Sequence, residues 1–224
     1  MIRKSLLASL AVAFVALPGA APAIDRAAIP ASNSIEFDVY RGNSRFGSHI
    51  LRFEEQGDQL RVVSDVDLRV RIGPITAFRY EHDSVEIYQD GELVSIEAST
   101  LKDGERLIVD IDRNGTQLVG RGTNAEGEPV DISHPLSLMP SSHWQGYSTG
   151  LSSVLNTETG EEMPVTVTEL GTETLEINRQ SVEARRVRLE GSLTLDLWYS
   201  AEGEWLRCQF SARGQDITYI RRNI

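Results

Sequence analysis

Cysteine is nearly absent from this 224-residue chain: Cys208 stands alone. No intramolecular disulfide can form, so the fold must be held by its core. Cys208 alternates with Leu206 and Phe210, which reads it as a small core hydrophobe rather than a reactive thiol. Lysine is scarce too, with only Lys4 and Lys102. Basic charge of any kind is in deficit, because 22 Lys and Arg face 33 Asp and Glu for a net charge of −11. That balance argues against a nucleic-acid partner, since phosphate neutralisation needs surplus cations. It argues equally against docking on anionic lipid head groups. Helical periodicity of useful length is missing beyond the first residues. So are a Gly-x-Ser-x-Gly turn and the His-x-His and His-x-x-x-His pairs of metal sites. No cofactor and no metal are implied.

What is present begins at the N-terminus. Arg3 and Lys4 precede a short apolar run from Leu6 to Leu17, broken by Pro18-Gly19 and followed by Ala21-Pro22-Ala23. This is the layout of a signal peptide cleaved after about Ala23. The run is shorter than the about 20 residues a membrane span needs, so the expected product is exported, periplasmic and not membrane-spanning. Loss of Arg3 and Lys4 takes the net charge from −11 to −13. No cysteine follows the leader, which removes a lipid-anchored lipoprotein. A mature chain of this length can bury roughly 70% of its unfolded surface without cross-links.

Residues 24–34 are rich in Ala and Pro and read as a flexible lead-in; residues 35–224 read as one β domain. From Ile35 the pattern has period two. In the clearest run Leu60, Val62, Val66, Leu68, Val70 and Ile72 share one face, while Arg61, Asp65, Asp67, Arg69 and Arg71 share the other. Turn residues at Gly57-Asp58, Gly73-Pro74, Asp90-Gly91, Asp103-Gly104, Asn114-Gly115 and Gly203 separate the runs. The predicted strands are 35–41, 46–55, 60–72, 75–88, 92–101, 105–112 and 116–122. After an interruption come 163–170, 173–178, 181–190, 193–200, 204–213 and 216–222. Short strands joined by hairpins give an all-β antiparallel meander, curled into a barrel or half-barrel.

The interruption, 123–162, is a long irregular connection. It holds a short extended piece at Val130 to Ser133, Leu136, Leu138 and Met139, then Ser141-Ser142-His143-Trp144. One helical turn is expected at Ser152 to Leu155. Long connections inside compact β domains are functional or act as lids, so a site is sought here first.

The candidate lining residues are Tyr80, His82, His143, Trp144 and Trp198. In Phe78-Arg79-Tyr80-Glu81-His82, residues 78, 80 and 82 share a face. Asp196 and Trp198 share the polar face of Leu195 to Tyr199, where a tryptophan covers an edge or lines a groove. The four histidines, His49, His82, His134 and His143, match no ligand spacing. Ser141, Ser142 and His143 invite a nucleophile–base pairing with Asp83, Asp131 or Asp196 as orienter, although triads are defined by geometry rather than adjacency. The bland alternative is a turn at Pro140-Ser141-Ser142, with Trp144 plugging the open end of the sheet.

Several segments together resemble a known family. They are Phe37-Asp38-Val39-Tyr40-Arg41, Phe46-Gly47-Ser48-His49, Asp65 to Val70, Tyr80-Glu81-His82, Pro140-Ser141-Ser142 ahead of Trp144, and Leu195 to Tyr199 leading to Phe210 to Gly214. The family is an uncharacterised group of exported bacterial proteins, domain-of-unknown-function family 6134. The likeness spans about 35–222 and implies a single exported β domain with no catalytic residue to carry over. The family pattern would place an aromatic where this chain has His143, which weakens a catalytic role there. The expected function is non-enzymatic binding, in the concave face, of a lipid, a small apolar or amphipathic ligand, or an envelope protein partner. A small periplasmic hydrolase using His82 or His143 is the second reading. An envelope assembly or scaffold protein is the third.

Overall fold

A computed structural model describes residue 24 and residues 26–72 and 74–224. The signal peptide read at 1–23 lies outside the described residues. In chain order the strands are β1 Ser34–Arg41, β2 Ser44–Gln56, β3 Gln59–Ile72, β4 Ile75–Gln89, β5 Glu92–Lys102, β6 Glu105–Asn114, β7 Gln117–Thr123 and β8 Pro129–Pro135. They continue with β9 Ser153–Leu155, β10 Glu162–Pro164, β11 Thr166–Ile177, β12 Gln180–Glu190, β13 Thr194–Tyr199, β14 Trp205–Ala212 and β15 Gln215–Arg221. None of the helices among the described residues is long and apolar enough to cross a membrane.

Thirteen strands form one antiparallel sheet in the order β11-β12-β13-β14-β15-β1-β2-β3-β4-β5-β6-β7-β8. Every neighbour in that order is also a sequence neighbour except β15 and β1, which pair through Phe37↔Arg221 to Arg41↔Ile217. The sheet curls without closing and leaves β8 and β11 as its edges, a half-barrel rather than a barrel. An ion pair from Arg213 to Asp103 at 3.0 Å ties the β14–β15 turn to the β5–β6 turn across the curl.

Hairpin chemistry sets the register. Asp90-Gly91 and Asp103-Gly104 both take positive φ at two central residues, between the flanking pairs Gln89↔Glu92 and Lys102↔Glu105. That backbone matches the right-handed twist of the strands. Two elements depart from the sequence reading. The strands expected at 163–170 and 173–178 are largely one strand, β11, with a bulge between Glu169 and Gly171. Gly171 at φ +92 kinks the strand instead of ending it. The helical turn expected at Ser152 to Leu155 is strand β9, paired with β10. The lead-in at 24–34 is docked on the sheet: Ala28 is buried, the Ile24 amide bonds the Gly91 carbonyl, and Arg26 pairs with Glu55.

Inward side chains of all the long strands meet residues of the connection between β8 and β11 in one core. It includes Phe37, Leu51, Phe53, Val62, Ile96, Ile111, Trp144, Leu155, Leu197, Trp205 and Cys208. Burial raises the Cys208 thiol pKa far above its ordinary value, so it behaves as the hydrophobe its alternation predicts. A second cluster on the opposite face gathers Leu175, Ile177, Ala184, Trp198 and Leu206. The distal β11–β12 hairpin covers it, with Asn178 bonding the Arg222 carbonyl.

Residues 136–165 act as a plug in the concave face. They approach the sheet closely at Gly122, where a Cβ would lie 2.0 Å from the Thr159 carbonyl oxygen. Gly122→Ala is expected to destabilise the fold by about 1–3 kcal/mol, because backbone rather than a flexible side chain must move. A shift in urea midpoint checks it, and an unchanged midpoint would mean that the Thr159 carbonyl yields freely.

Candidate functional site: the polar row beneath the plug

The concave face of β2 to β5 should be dry by alternation, yet His49, Ser64, His82, Ser84, Glu86 and Thr100 are all buried there. Pairing register lines them up. Phe37 lies opposite His49, His49 opposite Val66, Val66 opposite His82, and His82 opposite Thr100. The next row holds Leu51, Ser64, Ser84 and Ala98; the one after it holds Phe53, Val62, Glu86 and Ile96.

Each buried imidazole has a hydroxyl partner, as buried polar groups require. His49 Nε2 shares a hydrogen bond with Ser64 Oγ at 2.9 Å, and His82 Nδ1 with Thr100 Oγ1 at 2.8 Å. His143, from the plug, bonds Tyr147 Oη through Nδ1 at 2.7 Å. The Trp205 ring stands 5.4 Å from His49 and 5.5 Å from His143, edge-on to both. Desolvation lowers the pKa of His49 to about 3, helped by the neighbouring His82 and His143. Desolvation takes His143 to about 4. It also lowers His82, against the pull of Glu158. All three are neutral imidazoles near pH 7.

Glu86 is the carboxylate of this interior. Its Oε2 accepts from Tyr88 Oη at 2.6 Å and from Trp144 Nε1 at 3.2 Å, while Gln145 Nε2 donates to Tyr88 Oη at 2.5 Å. Burial raises the Glu86 pKa, and the Tyr88 and Trp144 donors pull it back. The Ser142 hydroxyl is close enough to act in the same sense, yet it makes no hydrogen bond of normal geometry and its oxygen is buried. We take Ser142 as a neighbour of the carboxylate, not a ligand of it.

Four of the five predicted lining residues share this interior. Tyr80 stacks on His82 at 6.5 Å and donates to Glu158 Oε1 at 2.8 Å, where Lys102 closes the end at 3.4 Å from Oε2. Trp144 is 0% exposed and packs edge-on against Phe53 and Tyr88 at 5.3 and 5.8 Å. Trp198 lies apart on the outer face, between the guanidinium groups of Arg186 and Arg207 at 5.0 and 5.4 Å and bonded to Glu173. The sequence reading left Glu86 out. Its signal was the phase of Val85-Glu86-Ile87, which sets a carboxylate in step with His82 and Ser84.

The residues proposed for hydrolysis do not assemble. His143 pairs with Tyr147, and Ser141 Oγ accepts from the Thr157 amide at 3.2 Å. Asp83 and Asp131 are exposed, and Asp196 is held by Arg186 and Arg188. Among the described residues no cluster of His, Cys, Asp or Glu is arranged to hold a metal. The cavity bounded by Tyr88, Leu93, Leu138, Met139 and Gln145 measures about 10 Å³. That is about one water, against the roughly 300–1,000 Å³ of ordinary ligand sites.

Comparison with known proteins bears on the family and the fold. The family model "Domain of unknown function (DUF6134)" matches residues 37–222. A solved structure from Brucella abortus, described as a beta-barrel-like protein of domain of unknown function DUF1849, superposes with a TM-score of 0.59 at 7% identity. The match covers 84% of this chain and 94% of that one, and at such low identity it shows the fold alone. Curated proteins give no match.

Proposed function

Given that the chain belongs to the DUF6134 family, we propose that it is an exported, non-enzymatic protein that works by binding a protein partner on its outer surface. The observation that carries this reading is the filled concave face. Trp144 and its neighbours occupy the place where a carrier would hold an apolar ligand, and the cavity beside them at Tyr88 and Leu138 measures about 10 Å³. The hydroxyl–imidazole pairs that do form, His49 with Ser64 and His82 with Thr100, are buried away from any substrate, which supports the non-enzymatic part. The leader at 1–23 supports export.

Native mass spectrometry of the protein purified from the periplasm, after expression with its own leader, tests it. The expected mass is that of an unliganded chain beginning just after Ala23, and crosslinking in the same cells is expected to recover a protein adduct. A reproducible extra mass that organic extraction removes and identifies as a lipid would overturn the reading in favour of a carrier.

A further inference from the structure

The two outer edges of the sheet are blunted. Strand β8 begins and ends in proline, and β11 carries Glu169, Glu173 and Glu176 beside its bulge. Such features discourage strand addition. A third edge lies inside the sheet order. The β4–β5 ladder stops at Tyr80↔Lys102, with Asp103 capping the Arg79 backbone from both its amide and its side chain. On the other side, the β2–β3 ladder stops at Gly47↔Leu68. Strands β3 and β4 nevertheless pair onward to Ile72↔Ile75. Their ends therefore stand out as a two-stranded ribbon, and β4 before Arg79 has β3 on one side and no strand of the described residues on the other. A groove of about 270 Å³ runs along that open side, lined by Thr76, Ala77, Phe78, Arg79 and Asp103.

A two-stranded ribbon is marginal in water by itself. The register shift between Val70 and Arg71 leaves Ala77 as an extra residue on β4, and Arg213 stacks on Phe78 at 5.4 Å to brace the ribbon from β14–β15. Bulges of this kind aim a strand at its target and recur beside functional sites. The charge is also local. Residues 69–79 hold Arg69, Arg71 and Arg79 and no acid, in a chain with a net charge of −11. Arg69 and Arg79 share Glu81, whereas Arg71 is exposed and has no ion pair among the described residues.

Building on the partner-binding reading above, we infer that the open edge of β4 at Thr76 to Phe78 is a strand-addition site for an extended segment of the partner that alternates apolar and acidic side chains. Backbone pairing along β4 supplies the docking, and Arg71 selects for negative charge. A second copy of the chain fits less well, because edge-to-edge pairing would bring two arginine-bearing ribbons together.

The probe is a synthetic nine-residue peptide alternating valine and glutamate, with its valine–lysine counterpart as control, added to the isotope-labelled full-length protein. Binding is expected for the glutamate peptide alone, with amide shifts centred on Thr76 to Phe78. Arg71→Glu, on an exposed and unpaired side chain, is expected to weaken it about tenfold without moving the melting temperature. Ala77→Pro, which removes a backbone donor, is expected to abolish it. Equal binding of both peptides, shifts elsewhere, or insensitivity to Arg71→Glu would overturn the site. So would self-association through β4, or binding of wild type but not Arg71→Glu to phosphatidylglycerol vesicles in place of the peptide. In-cell crosslinking separates the two levels. An adduct retained by both variants sinks this edge and leaves partner binding standing, whereas no adduct from wild type sinks partner binding itself.

Discussion

Replacing Trp144 by alanine is expected to lower the unfolding free energy by about 3–5 kcal/mol, the range for deleting a buried tryptophan. The indole is fully enclosed, its edge contacts to Phe53 and Tyr88 disappear, and the void cannot collapse while the sheet holds its register. The change also removes a donor from Glu86, whose carboxylate is 1% exposed and is left with Tyr88. Trp144→Phe separates the two effects, since it keeps most of the volume and loses the N–H. Its expected cost is about 1–3 kcal/mol. Urea unfolding of the three proteins gives the numbers. A loss below about 1 kcal/mol in the alanine variant would mean that the plug is not part of the cooperative unit that includes the sheet.

Acidification from pH 6.5 to 4 is expected to destabilise the protein steeply. His49 and His143 stay neutral in the fold to about pH 3 and 4, while in the unfolded chain they take up protons near their ordinary 6.5. Their folded pKa values are depressed, so the stability they confer is complete above pH 6.5 and is lost as the pH falls toward those folded values. Each contributes a slope approaching 1.4 kcal/mol per pH unit within that window. His82 adds in the same sense. Glu86 opposes them, because its raised pKa gives stability below its ordinary value that fades as the pH rises through the folded one. Asp83, also raised, acts with Glu86, while the lowered carboxyls of Glu81 and Asp196 lose stability on acidification as the imidazoles do, so the net slope stays positive with pH. Urea midpoints taken from pH 7 to 4.5 should fall, and His49→Gln should flatten the profile by about one imidazole's share. A wild-type profile that is already flat would mean that these rings are solvated.

Alternation made most of the sheet legible. The run from Leu60 to Ile72 announced β3 within a residue of its start, and Asp-Gly pairs marked two hairpins because few other sequences accept two consecutive positive φ values. Gly171 misled because a glycine gives the same local signal whether the strand bulges or ends. Ser153–Leu155 misled because three residues carry no measurable period. The position of the connection was readable at 123–162, where alternation stops; its role as a filling was not, since nothing local says which surface Trp144 will meet. Glu86 was hidden for a different reason. Inward phase normally means an apolar side chain, and a carboxylate in that phase makes sense only beside Tyr88 and Trp144, the latter 58 residues away. Trp198 was assigned correctly to the polar phase of β13, but the hairpin that covers it comes from β11 and β12.

The pairing of β1 with β15 sets an order of events. Strands β1 to β8 and β11 to β15 are two runs of neighbours, each able to zip locally once its turns form. The seam Phe37↔Arg221 joins residues far apart in sequence, and non-local closures of that kind are the slow ones. Until β15 is available, β1 presents an unpaired edge on one side. The interval before β15 pairs is the one in which β1 stands as an open edge, the kind of flank that invites wrong pairing. During that interval a holding chaperone would have the most to protect.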